Sequence, residues 1–338
     1  MPAKSYPLRL LQPLVPKMSE LTALAQVALL LTARWATCDA KPLTPKEFSD
    51  LYRWMGDRAE DLLHETLDLD LCPLDPARIR QLMQRGIGVF QSVDRWTQAG
   101  IWVRSWDDPG YPNRFKSLQN RAPVLVFGLG EPNWFTERAI AIVGSRNASP
   151  NRLEIARAIG SRCAESALTV VSGGARGVDL ASMQGCLNNG GRVVGVLADS
   201  LLKVSGLSGN RDAIMDDRLC LMTEVHPEAS FDVGSAMSRN RLAYACADAT
   251  VIVECEPGTG GSWAGACDGL KEGRTVYVLQ GAMAEKQLVD KGAMAIDEDA
   301  ATNPIGLLEP KRPAKRPKER LAPSLGLFAH ETESEYGK

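Results

Sequence analysis

Histidine is scarce in this 338-residue sequence, and its cysteines are never paired. Three histidines stand beside eight cysteines, Cys38, Cys72, Cys163, Cys186, Cys220, Cys246, Cys255 and Cys267, and no two of these form a C-x-x-C pair. That spacing excludes a zinc finger or ribbon, and no metal or other cofactor is expected. Several thiols sit in apolar or small-residue runs, where cysteine packs as a small hydrophobe; reduced thiols of this kind imply the cytoplasm. Long hydrophobic runs are absent too. The richest stretch, LTALAQVALLLTARWA, is too short and too polar to span a bilayer, and the N-terminus lacks a signal-peptide pattern, so no membrane partner is expected. There is no excess of charge of one sign: 39 Lys and Arg face 41 Asp and Glu, a net charge of -2. Any basic surface must therefore be local. Aromatic residues make up only 6% of the chain, which leaves few platforms for stacking.

The residues present divide into three regions. Residues 1–100 read as a small helical domain. MSELTALAQVALLLTARW has helical spacing after a Ser19 cap, TPKEFSDLYRWMG opens with Thr44, Pro45 and Glu47 in a capping-box pattern, and DPARIRQLMQRG runs from Asp75 and Pro76 to a terminal Gly86. Residues 101–298 read as an α/β domain. VLVFG, AIAIVG, LTVVSGG, RVVGVLA, LCLMTE, TVIVEC and TVYVLQG are continuous apolar runs, mostly separated by enough chain for one helix. Such runs are strands buried on both faces, which predicts a Rossmann-like, doubly wound, mostly parallel sheet. Residues 299–338 read as a basic disordered tail with no room for a winged helix. In KRPAKRPKER six of ten residues are basic and one is acidic, enough for salt-sensitive phosphate contacts beside the alternative of a solvated linker.

Ligands of doubly wound folds bind beyond the carboxyl ends of the strands. Gly144, Ser145 and Arg146 follow AIAIV, and Ser172, Gly173, Gly174, Arg176 and Gly177 follow LTVV, with Asp179 entering the next helix. MSRNRLAYACAD places Arg239 and Arg241 around Asn240 at an expected helix start, and EPGTGGSWAGA opens another helix with Gly260, Gly261 and Ser262. Glycine admits close backbone approach, and arginine holds a phosphate with two prongs. These loops predict one cleft for a phosphorylated or nucleic-acid ligand. A dinucleotide site is disfavoured because GSRNAS lacks the later glycines of G-x-G-x-x-G, and SGGARG lacks the Lys-Ser/Thr ending of a P-loop. His226, beside Pro227, reads as a loop residue rather than a base, and no catalytic constellation can be assembled.

VGSRNAS, SGGARGVDLAS, GGRVVGVL, MSRNRLAYACADATVIVE, GGSWAGA and KEGRTVYVL occur here in an order and spacing that resembles the DprA/Smf family (DNA processing protein A). The resemblance covers roughly 95–295 and includes Tyr111-Pro112 at the entry to the Rossmann-like part; the helical region is similar to the sterile-alpha-motif-like domain that often precedes it. It implies a non-enzymatic, dimeric protein that binds single-stranded DNA and hands it to a RecA-type recombinase, chiefly in natural transformation. Carried over by position, Ser145, Arg146, Arg176, Arg239, Asn240 and Arg241 would line the DNA cleft, with Lys203 nearby and Trp263 the nearest aromatic. Ser182-Met183 stand where the family has Ala-His, and Ala236-Met237 where it has Phe-Pro. These departures leave open a DprA-like sensor or scaffold in a mobile element or defence system. Two further resemblances compete for attention. EPGTGG resembles LOG-type nucleotide phosphoribohydrolases, although Ser262-Trp263-Ala264-Gly265 replace their catalytic glutamate. SLGLF resembles a sliding-clamp docking peptide, with Leu325, Leu327 and Phe328 as anchors.

Overall fold

The computed structural model describes residues 21–34, 39–130, 137–205, 208–230 and 233–309. Its spine is a nine-stranded sheet: β1 (Trp102–Ser105), β2 (Leu125–Leu129), β3 (Ala139–Gly144), β4 (Thr169–Ser172), β5 (Val193–Val196), β6 (Leu219–Thr223), β7 (Ala249–Glu254), β8 (Thr275–Leu279) and β9 (Met294–Ile296). The spatial order is β1-β2-β6-β5-β4-β3-β7-β8-β9. From β6 across to β9 every pairing is parallel, while β2 runs antiparallel to both β1 and β6. The chain steps outward from β3 through β4, β5 and β6, then returns to lay β7 on the other flank of β3. The order reverses between β3 and β7, which puts a crevice at the carboxyl ends of those two strands. All seven apolar runs form strands, and β4 to β7 are buried along their whole length. Strands β1 and β9 go beyond what the apolar runs predict.

Among the described residues five helices precede the sheet: α1 (Ala23–Thr32), α2 (Pro45–Met55), α3 (Ala59–Leu63), α4 (Pro76–Met83) and α5 (Gly86–Gln98). Thr22, rather than Ser19, caps α1, its hydroxyl accepting from the Ala25 N–H at 3.1 Å; Ser19 lies outside the described residues. Gly86 begins α5 instead of closing α4. These helices have no separate core. One hydrophobic cluster runs from Leu21 through Phe48, Trp96 and Trp106 into the sheet and on to Leu307. Polar ties reinforce the seam: the Trp106 indole N–H donates to the Pro123 carbonyl at 2.9 Å, and that of Trp96 to Glu228 at 2.9 Å.

The capping box of α2 forms as the sequence predicts. Glu47 accepts the Thr44 N–H at 2.7 Å, and its other oxygen meets Arg78 on α4 at 2.6 Å. The Arg78 hydrogen bond, aided by those to Thr44 and opposed by partial burial, holds the Glu47 carboxyl down at about 2. A carboxylate lowered in the fold contributes stability above its unfolded value and loses it as the pH falls through the folded one. Acid is therefore expected to weaken this tie between about 4.5 and about 2. Glu47→Ala is expected to cost about 1–2 kcal/mol at neutral pH and to flatten the acid limb of a stability–pH curve, both read from urea midpoints.

Among the described residues six further helices accompany the parallel strands: α6 (Pro150–Glu165), α7 (Val178–Asn188), α8 (Leu201–Ser205), α9 (Ser208–Met215), α10 (Val233–Ala245) and α11 (Gly260–Lys271). Three short ones, α12 (Glu285–Asp290), α13 (Glu298–Ala301) and α14 (Pro304–Leu307), close the described chain. The tail boundary at 299 is thus too early. Ala301 and Leu307 are buried, the Tyr277 hydroxyl donates to the Leu307 carbonyl at 2.9 Å, and the segment joins the core up to that point. KRPAKRPKER and the clamp-like Leu325, Leu327 and Phe328 lie outside the described residues. No helix among the described residues is long and apolar enough to cross a membrane.

Candidate nucleic-acid interface

The loops after β3 and β4 are joined through the backbone. Ser145 N–H donates to the Glu254 carbonyl at 2.7 Å, extending the β3–β7 ladder by one residue. The Ser145 carbonyl accepts from Val178 N–H at 3.3 Å, the first residue of α7. Gly177, at φ +94°, lies so close that an added Cβ would stand 2.3 Å from the Ser145 oxygen and 2.7 Å from the Arg146 Cα. Only glycine admits that approach and that backbone angle. Above this junction the Arg176 guanidinium donates to the Asn147 side-chain oxygen at 2.9 Å. Arg146 and Arg176 are both exposed, and the two loops hold them on one rim at the switch point. Asn147, which the sequence motifs do not single out, is the side chain that orients Arg176.

Other predicted residues frame this rim. The Ser262 hydroxyl donates to the Gly144 carbonyl at 3.0 Å, fastening the start of α11 to the end of β3. Gly260 is exposed at the head of α11, and Gly261 leaves room for Asn240, whose amide nitrogen would stand 2.2 Å from an added Cβ. Gly174 is exposed at φ +66°, whereas Gly173 and Ser172 are buried, with the Ser172 hydroxyl donating to the Ile142 carbonyl at 2.6 Å. Lys203 is exposed on α8, beyond the carboxyl end of β5 and so along the same edge.

The Arg239-Asn240-Arg241 set departs from expectation. It lies well inside α10, which begins at Val233, and not at a helix start. Arg239 and Asn240 are buried. Arg239 Nη1 stands 3.4 Å from Asp179 Oδ2, each side chain 6% exposed. Arg241 donates to the Ser238 hydroxyl at 2.6 Å and lies 3.8 Å from Glu224. Both arginines are thus engaged by carboxylates of the chain itself. Both are less exposed than Arg146. Burial draws the Arg239 guanidinium downward, Asp179 opposes that, and nearby Arg146 adds to it. Burial likewise raises the Glu224 carboxyl, against the pull of Ser238, Arg241 and Arg34.

Several other polar groups near these strand ends are engaged within the fold. Glu254 at the end of β7 accepts the Met283 N–H at 2.9 Å and meets Arg152 at 3.4 Å. The imidazole of His226 stacks on Trp96 at 6.5 Å, away from these loops, and burial lowers its pKa against the pull of Glu228. Trp263 is partly buried against the core under β8, with Lys291 at 5.9 Å from its ring. Exposed Glu256 sits on the loop before α11 and repels anions there.

A family model for DNA recombination-mediator protein A matches residues 102–303. The chain is 27% identical over 198 residues to the DNA processing protein DprA of Streptococcus pneumoniae, covering 56% of this chain and 68% of that protein. It is 25% identical to protein Smf of Synechocystis, spanning about half of that relative (46%), and 25% identical to DprA of Bacillus subtilis, spanning 65%. Among solved structures, DNA processing protein A of S. pneumoniae superposes with a TM-score of 0.62 at 22% identity, covering 82% of this chain and 95% of that one. A structure of the Helicobacter pylori DNA processing protein A, concerned with its single-stranded DNA binding mode, gives 0.50 at 22% identity, covering 60% and 95%.

Proposed function

Since the chain belongs to the DNA recombination-mediator protein A family, we propose that it binds single-stranded DNA at the rim carrying Arg146 and Arg176 and does not turn it over. The observation that supports this reading most is the joining of two loops so that two exposed guanidinium groups share one edge. A guanidinium pair neutralises neighbouring phosphates, and exposed Lys203 extends the same edge. The H. pylori protein has a described single-stranded DNA binding mode, and the present chain shares its fold. The loops after β3, β4 and β7 carry no aromatic residue, so binding is expected to be indifferent to base sequence. In this reading Arg239 and Arg241 are positioning residues: they anchor α10 beneath the strand ends that carry the rim. Transfer of the strand to a RecA-type recombinase and action as a homodimer complete the proposal, both on the strength of the family resemblance.

Fluorescence anisotropy of labelled oligo-dT with the purified chain tests the reading. Three single-strand phosphates neutralised give a slope of log affinity against log salt near about -2, so binding weakens roughly tenfold or more from about 50 to about 200 mM KCl. Salt-independent binding, or hydrolysis of thymidine monophosphate by the same preparation, contradicts it.

A further inference from the structure

The glycine-rich turn after β4 is built like a phosphate cradle, yet it holds a carboxylate of the chain itself. Asp179, in the first turn of the eleven-residue helix α7, accepts the Gly144 N–H at 3.3 Å, and its Oδ2 lies so close to Gly173 that an added Cβ there would stand 2.6 Å away. Arg239 approaches from below, its Nη1 3.4 Å from both Asp179 Oδ2 and the Val196 carbonyl. Gly173 leaves the guanidinium its place, for an added Cβ there would fall 1.3 Å from Nη1. An amide at the end of β3, the glycine backbone of the turn after β4, the positive end of a helix and a guanidinium therefore converge on one carboxylate, a surrounding that suits a phosphate. One donor remains over: Arg239 Nε is buried without a hydrogen-bond partner, in a side chain only 6% exposed. A carboxylate has two oxygens to offer this set, a phosphate three or four.

We propose that this nest is an anion site of phosphate type which the protein keeps closed with Asp179. Asp179 is then a specificity-determining residue. It shuts out inorganic phosphate, mononucleotides and terminal phosphates, and leaves Arg146 and Arg176 outside to meet phosphodiesters within a strand. The consequence for DNA rests on the function proposed for the rim; the closure of the nest does not.

The full chain with Asp179→Ala tests this, using inorganic phosphate as the probe at ionic strength held constant with KCl. The wild type is expected to show no phosphate-specific change in Tm. The variant starts lower and regains about 4 °C, saturably, once phosphate reaches about twentyfold its Kd. Adding Arg239→Met abolishes that gain, and thymidine monophosphate binds the single variant at least about tenfold more tightly than the wild type. The same phosphate response in the wild type, or a folded single variant with none, overturns the proposal. If the variant folds poorly, refolding yields in phosphate and in matched KCl decide: a higher yield in phosphate supports the closed nest, and equal yields overturn it. Oligo-dT binding by the wild type is measured alongside, so its failure removes the DNA reading and leaves the phosphate result to stand or fall alone.

Discussion

Arg239→Met is expected to destabilise the folded chain by about 3–5 kcal/mol, more than any other single substitution at the rim or beneath it, and to leave the salt slope of DNA binding unchanged. The methionine approximates the volume of the stem but removes the countercharge of Asp179, which stays buried at 4% residue exposure. The loss follows from stranding one member of a buried ion pair, not from the net worth of the pair. Urea midpoints report it. Burial already raises the Asp179 carboxyl, opposed by Arg239 and by hydrogen bonds from Gly144, Ala175 and Gly173. A carboxyl raised in the fold contributes stability that is present below its unfolded value and lost as the pH climbs through the folded one. Without Arg239 the raised value climbs further, so the deficit of the variant is expected to narrow as the pH drops below neutrality. A variant of wild-type stability would show that the pair does not hold α10 beneath the loops.

The sheet was legible because burial on both faces leaves a local mark. AIAIVG and TVIVEC could hardly be anything but interior strands, and they pair side by side around the switch point. β1 escaped notice because it lies at the sheet edge and interrupts its apolar run with Arg104, and β9 because three residues form no pattern. The rim was half legible. Glycines and arginines after strand ends marked two loops that the fold does bring together, and Arg146 and Arg176 are exposed there. What the sequence could not reveal was which arginines are neutralised from within. The partner of Arg239 is 60 residues away, at Asp179, and that of Arg241 follows another strand, at Glu224. The position of Asp179 in the first turn after a glycine-rich loop was a usable signal, since a carboxylate there faces unpaired amides and the positive helix end. The Arg239-Asn240-Arg241 run was expected at a helix start, but α10 had already begun at Val233. Residues 299–309 were assigned to the tail by composition, while Ala301 and Leu307 bury themselves in the domain.

Arg146→Ala combined with Arg176→Ala is expected to lower oligo-dT affinity roughly a hundredfold, about tenfold for each guanidinium withdrawn from a phosphate. Both side chains are exposed, so the fold should bear their removal at a cost within about 0.5 kcal/mol each. Asn147→Ala, which takes away the acceptor that orients Arg176, is expected to give a smaller decrease in the same direction. An affinity ratio at one salt concentration cannot by itself separate the missing charge from a disturbed loop. The dependence on salt does, because it reports how many phosphates are neutralised.

The most direct test is therefore the slope of log affinity against log KCl for oligo-dT, measured on the wild type and on the Arg146→Ala, Arg176→Ala double variant. The rim predicts that the magnitude falls from about 2 to about 0.7, because only one of three phosphates is still neutralised. An unchanged slope would mean that DNA is gripped elsewhere on the chain, and that joining the loops after β3 and β4 serves some other end.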